Sequence, residues 1–98
     1  MHSTELVQTK SISYEFWYYQ GLAWWKSENY KEANVCDEQA LNLAPDEPLV
    51  IFEKARCELL LGKKDICLNL LKKICKADSE ILEKIFKDRT FQLLYENN

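Results

Sequence analysis

The stretch from residue 29 to residue 48, NYKEANVCDEQALNLAPDEP, decides the fold of this chain of 98 residues. Its small side chains Ala33, Cys36 and Ala40 recur at steps of three and four residues, so they lie on one face of a helix. Side chains of this size let a second helix approach closely. The stretch therefore predicts a helix packed tightly against a neighbour.

Both ends of this helix carry sequence signals. Asn29 has Glu32 three residues later, which is the arrangement of a capping box at a helix start. The helix ends before Ala44-Pro45, because the residue before a proline is pushed out of the α conformation. Asp46-Glu47-Pro48 then predicts the start of another helix, since a proline in the first turn lacks an N–H that would have no partner there.

Three further helical segments surround this one. The first is capped by Ser11 or Ser13 and runs to about Lys26 or Ser27. The segment that starts at Pro48 ends at Gly62, which suits a left-handed C-terminal cap. A fourth begins near Asp65. The side chains expected to face the neighbouring helix are Trp17, Gln20, Gly21 and Trp24 in the first segment and Ile66, Cys67, Leu70, Leu71, Ile74 and Cys75 in the fourth.

The composition excludes several classes of protein. Gly and Pro together number four, which is too few for a glycine-rich phosphate loop or for the frequent turns of a β-sandwich. With 47% apolar and 30% charged residues, the chain is expected to form one all-α domain. A net charge of −3 argues against a nucleic-acid partner. Residues 1–47 hold three basic and eight acidic side chains, a net charge of −5, whereas residues 48–98 hold ten and eight, a net charge of +2.

Cysteine and histidine are not spaced like metal ligands. Four cysteines occur, none of them in a C-x-x-C motif, and the one histidine is His2. We therefore expect reduced thiols, a cytoplasmic location, no metal and no cofactor. No apolar segment is long enough to cross a bilayer, and no secretory signal opens the chain. Nucleophilic catalysis usually needs a histidine base, and the one histidine lies in the N-terminal tail, so we do not expect an enzyme.

A repeat of 34 residues is visible in this arrangement. Shifting residues 14–43 by 34 positions onto 48–77 pairs Gly21 with Ala55 and Ala33 with Cys67, matching residue classes without identities. The chain resembles the tetratricopeptide repeat family over residues 14–80. The residues that carry the resemblance are Trp17, Gly21, Tyr30, Ala33, Ala40 and Pro45. Gln20 and Asp37 depart from the pattern, because a large apolar residue and an aromatic residue are usual there.

The resemblance implies an organisation in two helix pairs with a closing segment. The N-terminal lead-in covers residues 1–12, the two repeat units cover 13–46 and 47–78, and the closing segment covers 79–98. One or two short helices in that last segment would cover the exposed apolar side of the second unit. The closing segment resembles those that follow some bacterial repeat arrays, because four apolar residues and a central aspartate recur in it every three positions. These residues are Leu82, Ile85, Asp88, Phe91 and Leu94.

The resemblance also implies a groove, because the first helix of each repeat in this family lines a concave surface. The groove residues implied here are Tyr18, Leu22, Trp25, Lys26, Phe52, Glu53, Arg56 and Leu59. The subclass that binds chaperone tails uses a clamp of Lys, Asn and Arg, and this sequence has Tyr18, Leu22 and Glu53 at those positions. We therefore expect an apolar or aromatic peptide, with Lys26, Glu53 and Arg56 setting its register, unless the chain's own terminal segments cover the rings.

Two classes of function follow. The first is a non-catalytic adaptor or scaffold that binds a protein partner in the groove through Tyr18, Trp25 and Phe52. The alternative is a self-assembling structural protein, such as a homodimer, because two repeats fall below the three that stable arrays usually need. An enzyme with a bound metal is a weaker third hypothesis.

Overall fold

The computed structural model describes residues 13–77 and 80–92. The expected lead-in 1–12, the end of the closing segment from residue 93 onward and the side chain of Leu82 lie outside the described residues. Within them the fold is all-α, and it consists of five helices in sequence. These are α1 (Tyr14–Lys26), α2 (Tyr30–Leu43), α3 (Pro48–Leu60), α4 (Lys64–Ala77) and α5 (Ile81–Lys87).

The helix boundaries repeat with the expected period. Residues 14, 26, 30 and 43 bound α1 and α2, and residues 48, 60, 64 and 77 bound α3 and α4, each 34 positions later. The predicted two helix pairs are therefore confirmed as a helical-repeat fold. Helix α5 begins where a third unit would begin, one residue before the position equivalent to Pro48.

The ends of the helices follow the local sequence with one exception. The Ser13 hydroxyl accepts a hydrogen bond from the Glu15 N–H at 3.3 Å, and Pro48 opens α3. Gly62 follows α3 with φ 86°, as expected for a left-handed cap. The predicted capping box at Asn29 was wrong, because the Asn29 side chain makes no capping hydrogen bond to α2. Its amide donates instead to the Ser27 carbonyl oxygen at 3.5 Å.

The helices pack in chain order into one continuous structure. Helix α1 packs on α2, α2 on α3, and α3 on α4. The main core lies between the second unit and the closing segment, where Phe91 is fully buried together with Ile81 and Ile85 of α5. These three side chains cover Ile51, Ala55, Cys67, Leu71 and Ile74. The expected capping role of the closing segment is confirmed.

Helix α1 is rotated relative to the expectation from its sequence. Gly21 is buried against α2 and Trp17 is half-buried, as predicted. Gln20 and Trp24, which were expected on the same face, are exposed. The aromatic residues of α1 stand at nearly every position around the helix, so their spacing gives little indication of which face packs. No helix among the described residues is long and apolar enough to span a bilayer.

Candidate partner-binding groove

The predicted groove residues come from two helices of the structure. Tyr18, Leu22 and Trp25 stand four and three residues apart on α1, so they share one side of it. Phe52, Arg56 and Leu59 have the same spacing on α3. All six are half-buried, whereas Lys26 is exposed at the C-terminal end of α1 and Glu53 is buried.

Arg56 joins the two helices at the centre of this surface. Its guanidinium carbon lies 4.1 Å from the centroid of the Trp25 ring and 5.4 Å from that of Phe52, as in a cation–π contact. One terminal nitrogen lies 2.5 Å from Glu53 Oε1, and the other lies 3.1 Å from Asp88 Oδ2. Trp25 in turn packs edge-on against Tyr30, with 5.0 Å between ring centroids. The position of Arg56 is therefore fixed from four sides.

The closing segment occupies the α3 half of the surface. Phe91 packs edge-on against Phe52, with ring centroids 5.3 Å apart, and Asp88 is ion-paired with Arg56. Asp88 Oδ1 also accepts a hydrogen bond from the Thr90 N–H at 2.8 Å, which turns the chain toward Phe91. The chain's own C-terminal segment therefore covers Phe52, one of the expected anchor residues, while the open part of the surface lies on α1.

Glu53 does not line an accessible surface, which corrects its expected role in contacting a peptide. Glu53 is only 2% exposed, and its carboxylate accepts a hydrogen bond from Arg56. Burial raises the pKa of Glu53, with the adjacent Arg56 opposing this. Glu53 therefore serves to hold Arg56 in place.

A second buried acid, Asp37, lies behind the groove. It stands on α2 at the position where the repeat pattern usually has an aromatic residue, and it is fully buried. Its Oδ2 accepts a hydrogen bond from the Cys57 thiol at 3.6 Å, and its Oδ1 has no partner within the part of the chain that the structure describes. Burial, followed by the Glu53 charge, raises the pKa of Asp37 to about 8. Burial and then the nearby Glu53 likewise raise the pKa of Tyr18 on the groove side.

A polar cluster joins α2 and α3 on their shared side. The Lys54 ammonium donates to Glu58 Oε2 at 2.8 Å, to Asn34 Oδ1 at 2.9 Å and to Glu38 Oε2 at 3.2 Å. The Asn34 amide donates to Glu58 at 3.1 Å. Burial alone would raise the pKa of Glu58. The hydrogen bonds from Lys54 and Asn34 outweigh this effect and hold the pKa of Glu58 below its ordinary value. Lys54 and Glu58 stand four residues apart, so their ion pair could have been predicted from the sequence. Asn34 and Glu38 lie on another helix and join the cluster only because α2 packs against α3.

The four cysteines are free thiols, as expected. Cys36, Cys57 and Cys67 are buried, and burial raises the pKa of each of these thiols, that of Cys67 to about 11. Across residues 13–77 and 80–92, no group of three or more His, Cys, Asp or Glu side chains is arranged to hold a metal ion.

Comparison with known proteins leaves the family open. No protein-family model matches the chain, and no curated protein or solved structure shows significant similarity to it.

Proposed function

We propose that this protein is a non-catalytic interaction module of the tetratricopeptide type, acting as an adaptor or scaffold in the cytoplasm. The single observation that carries the proposal is the surface around Arg56. Tyr18, Leu22 and Trp25 form a half-buried aromatic and apolar surface beside a guanidinium that is already held in place. Tyr, Trp and Arg are the residues that most often dominate binding energy in interfaces. A surface held rigid before binding loses less side-chain entropy when a partner docks.

The family assignment rests on the repeat period and on the signature residues. The 34-residue offset of the helix boundaries supports it. So does the contact between Gly21 and α2, where an added Cβ would lie 3.3 Å from the Ala33 carbonyl oxygen. In a repeat of this type the concave surface is lined by one side of each first helix, which here carries Tyr18, Leu22 and Trp25 on α1 and Phe52, Arg56 and Leu59 on α3.

The chemistry of the partner can be inferred from the segment that already occupies half of the surface. Asp88 and Phe91, three residues apart, present a carboxylate to Arg56 and a ring to Phe52. The remaining open part, with Tyr18, Leu22 and Trp25, is apolar and has Lys26 at its edge. The partner is therefore a peptide or helix with apolar or aromatic side chains and a neighbouring acidic group.

Selection from a random peptide library displayed on phage tests this function. The full chain serves as bait, and dissociation constants of the selected peptides are then measured by fluorescence anisotropy. We expect Leu22→Ala to weaken binding by roughly tenfold, because it removes apolar contact area between Tyr18 and Trp25 in the open part of the surface. Leu43→Ala is the matched control, since Leu43 is an exposed leucine on α2. Helicity measured by circular dichroism verifies that both variants fold.

Two results would contradict the proposal. The first is a selection that yields no peptide bound above background. The second is a set of selected peptides that bind the Leu22→Ala and Tyr18→Ala variants as tightly as they bind the unaltered chain.

A further inference from the structure

The outer side of α1 is an apolar helix face without a covering element among the described residues. Phe16, Tyr19, Gln20, Ala23 and Trp24 are all exposed. They stand at positions i, i+3, i+4, i+7 and i+8, which is the spacing of a helix face that normally packs against protein. Its three aromatic residues are Phe16, which is 46% exposed, Tyr19, which is 63% exposed, and Trp24, which is 39% exposed. We call these five residues the outer face of α1.

The repeat shows what this face corresponds to in the second unit. The residues 34 positions later on α3 are Val50, Glu53, Lys54, Cys57 and Glu58. This is the side of α3 that packs on α2, since Lys54 and Glu58 contact Asn34 and Cys57 contacts Asp37. Val50 is fully buried there. The outer face of α1 therefore occupies the position at which a preceding helix packs in this architecture.

The opposite end of the molecule is covered in a corresponding way. Helix α5 begins at the third-unit position, and Ile81, Ile85 and Phe91 cover the apolar side of the second unit. One end of the repeat is thus closed by the chain itself, whereas the aromatic rings of the outer face of α1 remain in contact with solvent.

The charges of α1 are complementary to those of a second, antiparallel copy of the same helix. Its two charged residues are Glu15 near the start and Lys26 at the end. They are 11 positions apart, or three helical turns, so they flank the outer face on the same side as Tyr19. Both are exposed, and neither forms an ion pair with another described residue. In an antiparallel pair of α1 helices related by a two-fold axis, Glu15 of each copy lies opposite Lys26 of the other.

We propose that two copies associate through the outer faces of α1, antiparallel about a two-fold axis. Phe16, Tyr19 and Trp24 of each copy cover those of the other, and two Glu15–Lys26 pairs fix the alignment. Such an interface is isologous and closed, so it forms dimers rather than filaments. The three rings expose on the order of 300 Å² per copy, below the roughly 800 Å² per partner of a standard interface, so we expect a dissociation constant in about the micromolar range.

Charge reversal tests the alignment in the full chain. Sedimentation velocity from about 1 μM to about 1 mM gives the dissociation constant of the dimer. We expect Glu15→Lys and Lys26→Glu each to raise it by roughly tenfold, since each places two like-charge pairs across the axis. Mixing the two single variants restores a dimer, because a heterodimer contains two opposite-charge pairs. Glu32 is an exposed acid in the first turn of α2, so Glu32→Lys is the matched control. We expect it to leave the dissociation constant unchanged.

A third variant tests the rings independently of the charges. Tyr19→Ser removes the most exposed ring of the outer face, and we expect it to abolish the dimer without lowering helicity. A chain that stays monomeric up to about 1 mM, as coverage of this face by residues 1–12 of the same chain would produce, overturns the proposal. So does a dimer that Tyr19→Ser leaves intact, or a mixture of the two charge variants that associates no better than either alone.

Discussion

At the scale of single residues, the pair formed by Gly21 and Asp37 distinguishes the first repeat unit from the second. An added Cβ on Gly21 would lie 2.8 Å from Asp37 Oδ1, so the glycine makes room for the carboxyl group. The equivalent positions of the second unit are Ala55 and Leu71, and both are buried. A carboxyl group therefore fills a position that an apolar side chain fills in the other unit. Because burial raises the pKa of Asp37 to about 8, this group is largely protonated at neutral pH.

The raised pKa of Asp37 makes stability depend on pH. Between its ordinary pKa near 4 and its folded pKa near 8, the folded chain keeps a proton that the unfolded chain has released. The free energy of unfolding therefore falls as pH rises through this window, and Asp37 accounts for on the order of 3 kcal/mol of that fall between pH 5 and pH 8. We expect Asp37→Asn to remove this dependence, so that the variant gains stability relative to the unaltered chain as pH rises. Urea unfolding at both pH values measures it.

A matched control isolates burial as the cause. Asp46 has a side chain that is 90% exposed, and Asp46→Asn makes the same change of charge and shape. We expect its stability to follow that of the unaltered chain at both pH values. Equal effects of the two substitutions would show that Asp37 does not titrate in the way its burial requires.

At the scale of helices, the two repeat units end their first helices in the same way with different residues. After α3, the Lys63 N–H donates to the Glu58 carbonyl oxygen at 2.8 Å around Gly62, which has positive φ. After α1, the Asn29 N–H donates to the Trp24 carbonyl oxygen at 2.9 Å around Glu28, with φ 65°. Both are Schellman motifs, in which glycine is the favoured residue at the left-handed position. Glu28 therefore adopts a conformation that a residue with a Cβ rarely takes.

Substitutions at this position should act in opposite directions in the two units. We expect Glu28→Gly to raise the free energy of unfolding by about 0.5–1 kcal/mol and Gly62→Ala to lower it by about 1 kcal/mol. Thermal unfolding followed by circular dichroism measures both. Glu32→Gly is the control, because it places the same residue within α2, where we expect a loss of up to about 1 kcal/mol. A loss of stability in Glu28→Gly comparable to that of Glu32→Gly would refute the interpretation.

The helices themselves were predictable, and the way in which their faces pack was less so. Proline, glycine and serine positions correctly indicated the ends of α1, α2 and α3, because these signals act within a few residues. The packed face of α1 was partly mispredicted, since Trp24 is exposed whereas Gly21 is buried. Apolar rings occur around that helix, so tertiary contacts decide its orientation. The arrangement at Arg56 needed the fold as well, because Asp88 lies 32 residues further along the chain.

At the scale of the whole molecule, the two ends of the repeat are joined by helices that pack in chain order. All three tryptophans, Trp17, Trp24 and Trp25, lie in α1. The largest fully buried side chain of the described residues, Phe91, lies in the closing segment beyond α5. Arg56 connects the two regions, since it contacts Trp25 on one side and Asp88 on the other. Tryptophan fluorescence therefore reports on the first unit, while substitutions at Phe91 perturb the second.

This separation allows a test of whether the molecule unfolds as one unit. We expect Phe91→Ala to lower the free energy of unfolding by about 3–5 kcal/mol and Phe91→Leu by less, because each leaves a cavity in the main core. If the repeat is cooperative, the urea midpoint seen by tryptophan fluorescence moves down by roughly 2 M in Phe91→Ala and coincides with the loss of helicity. Gln92 is the exposed neighbour of Phe91, and we expect Gln92→Ala to leave the urea midpoint unchanged. A fluorescence midpoint that stays constant in Phe91→Leu while helicity is lost at lower urea would mean that α1 and α2 unfold independently of the closing segment.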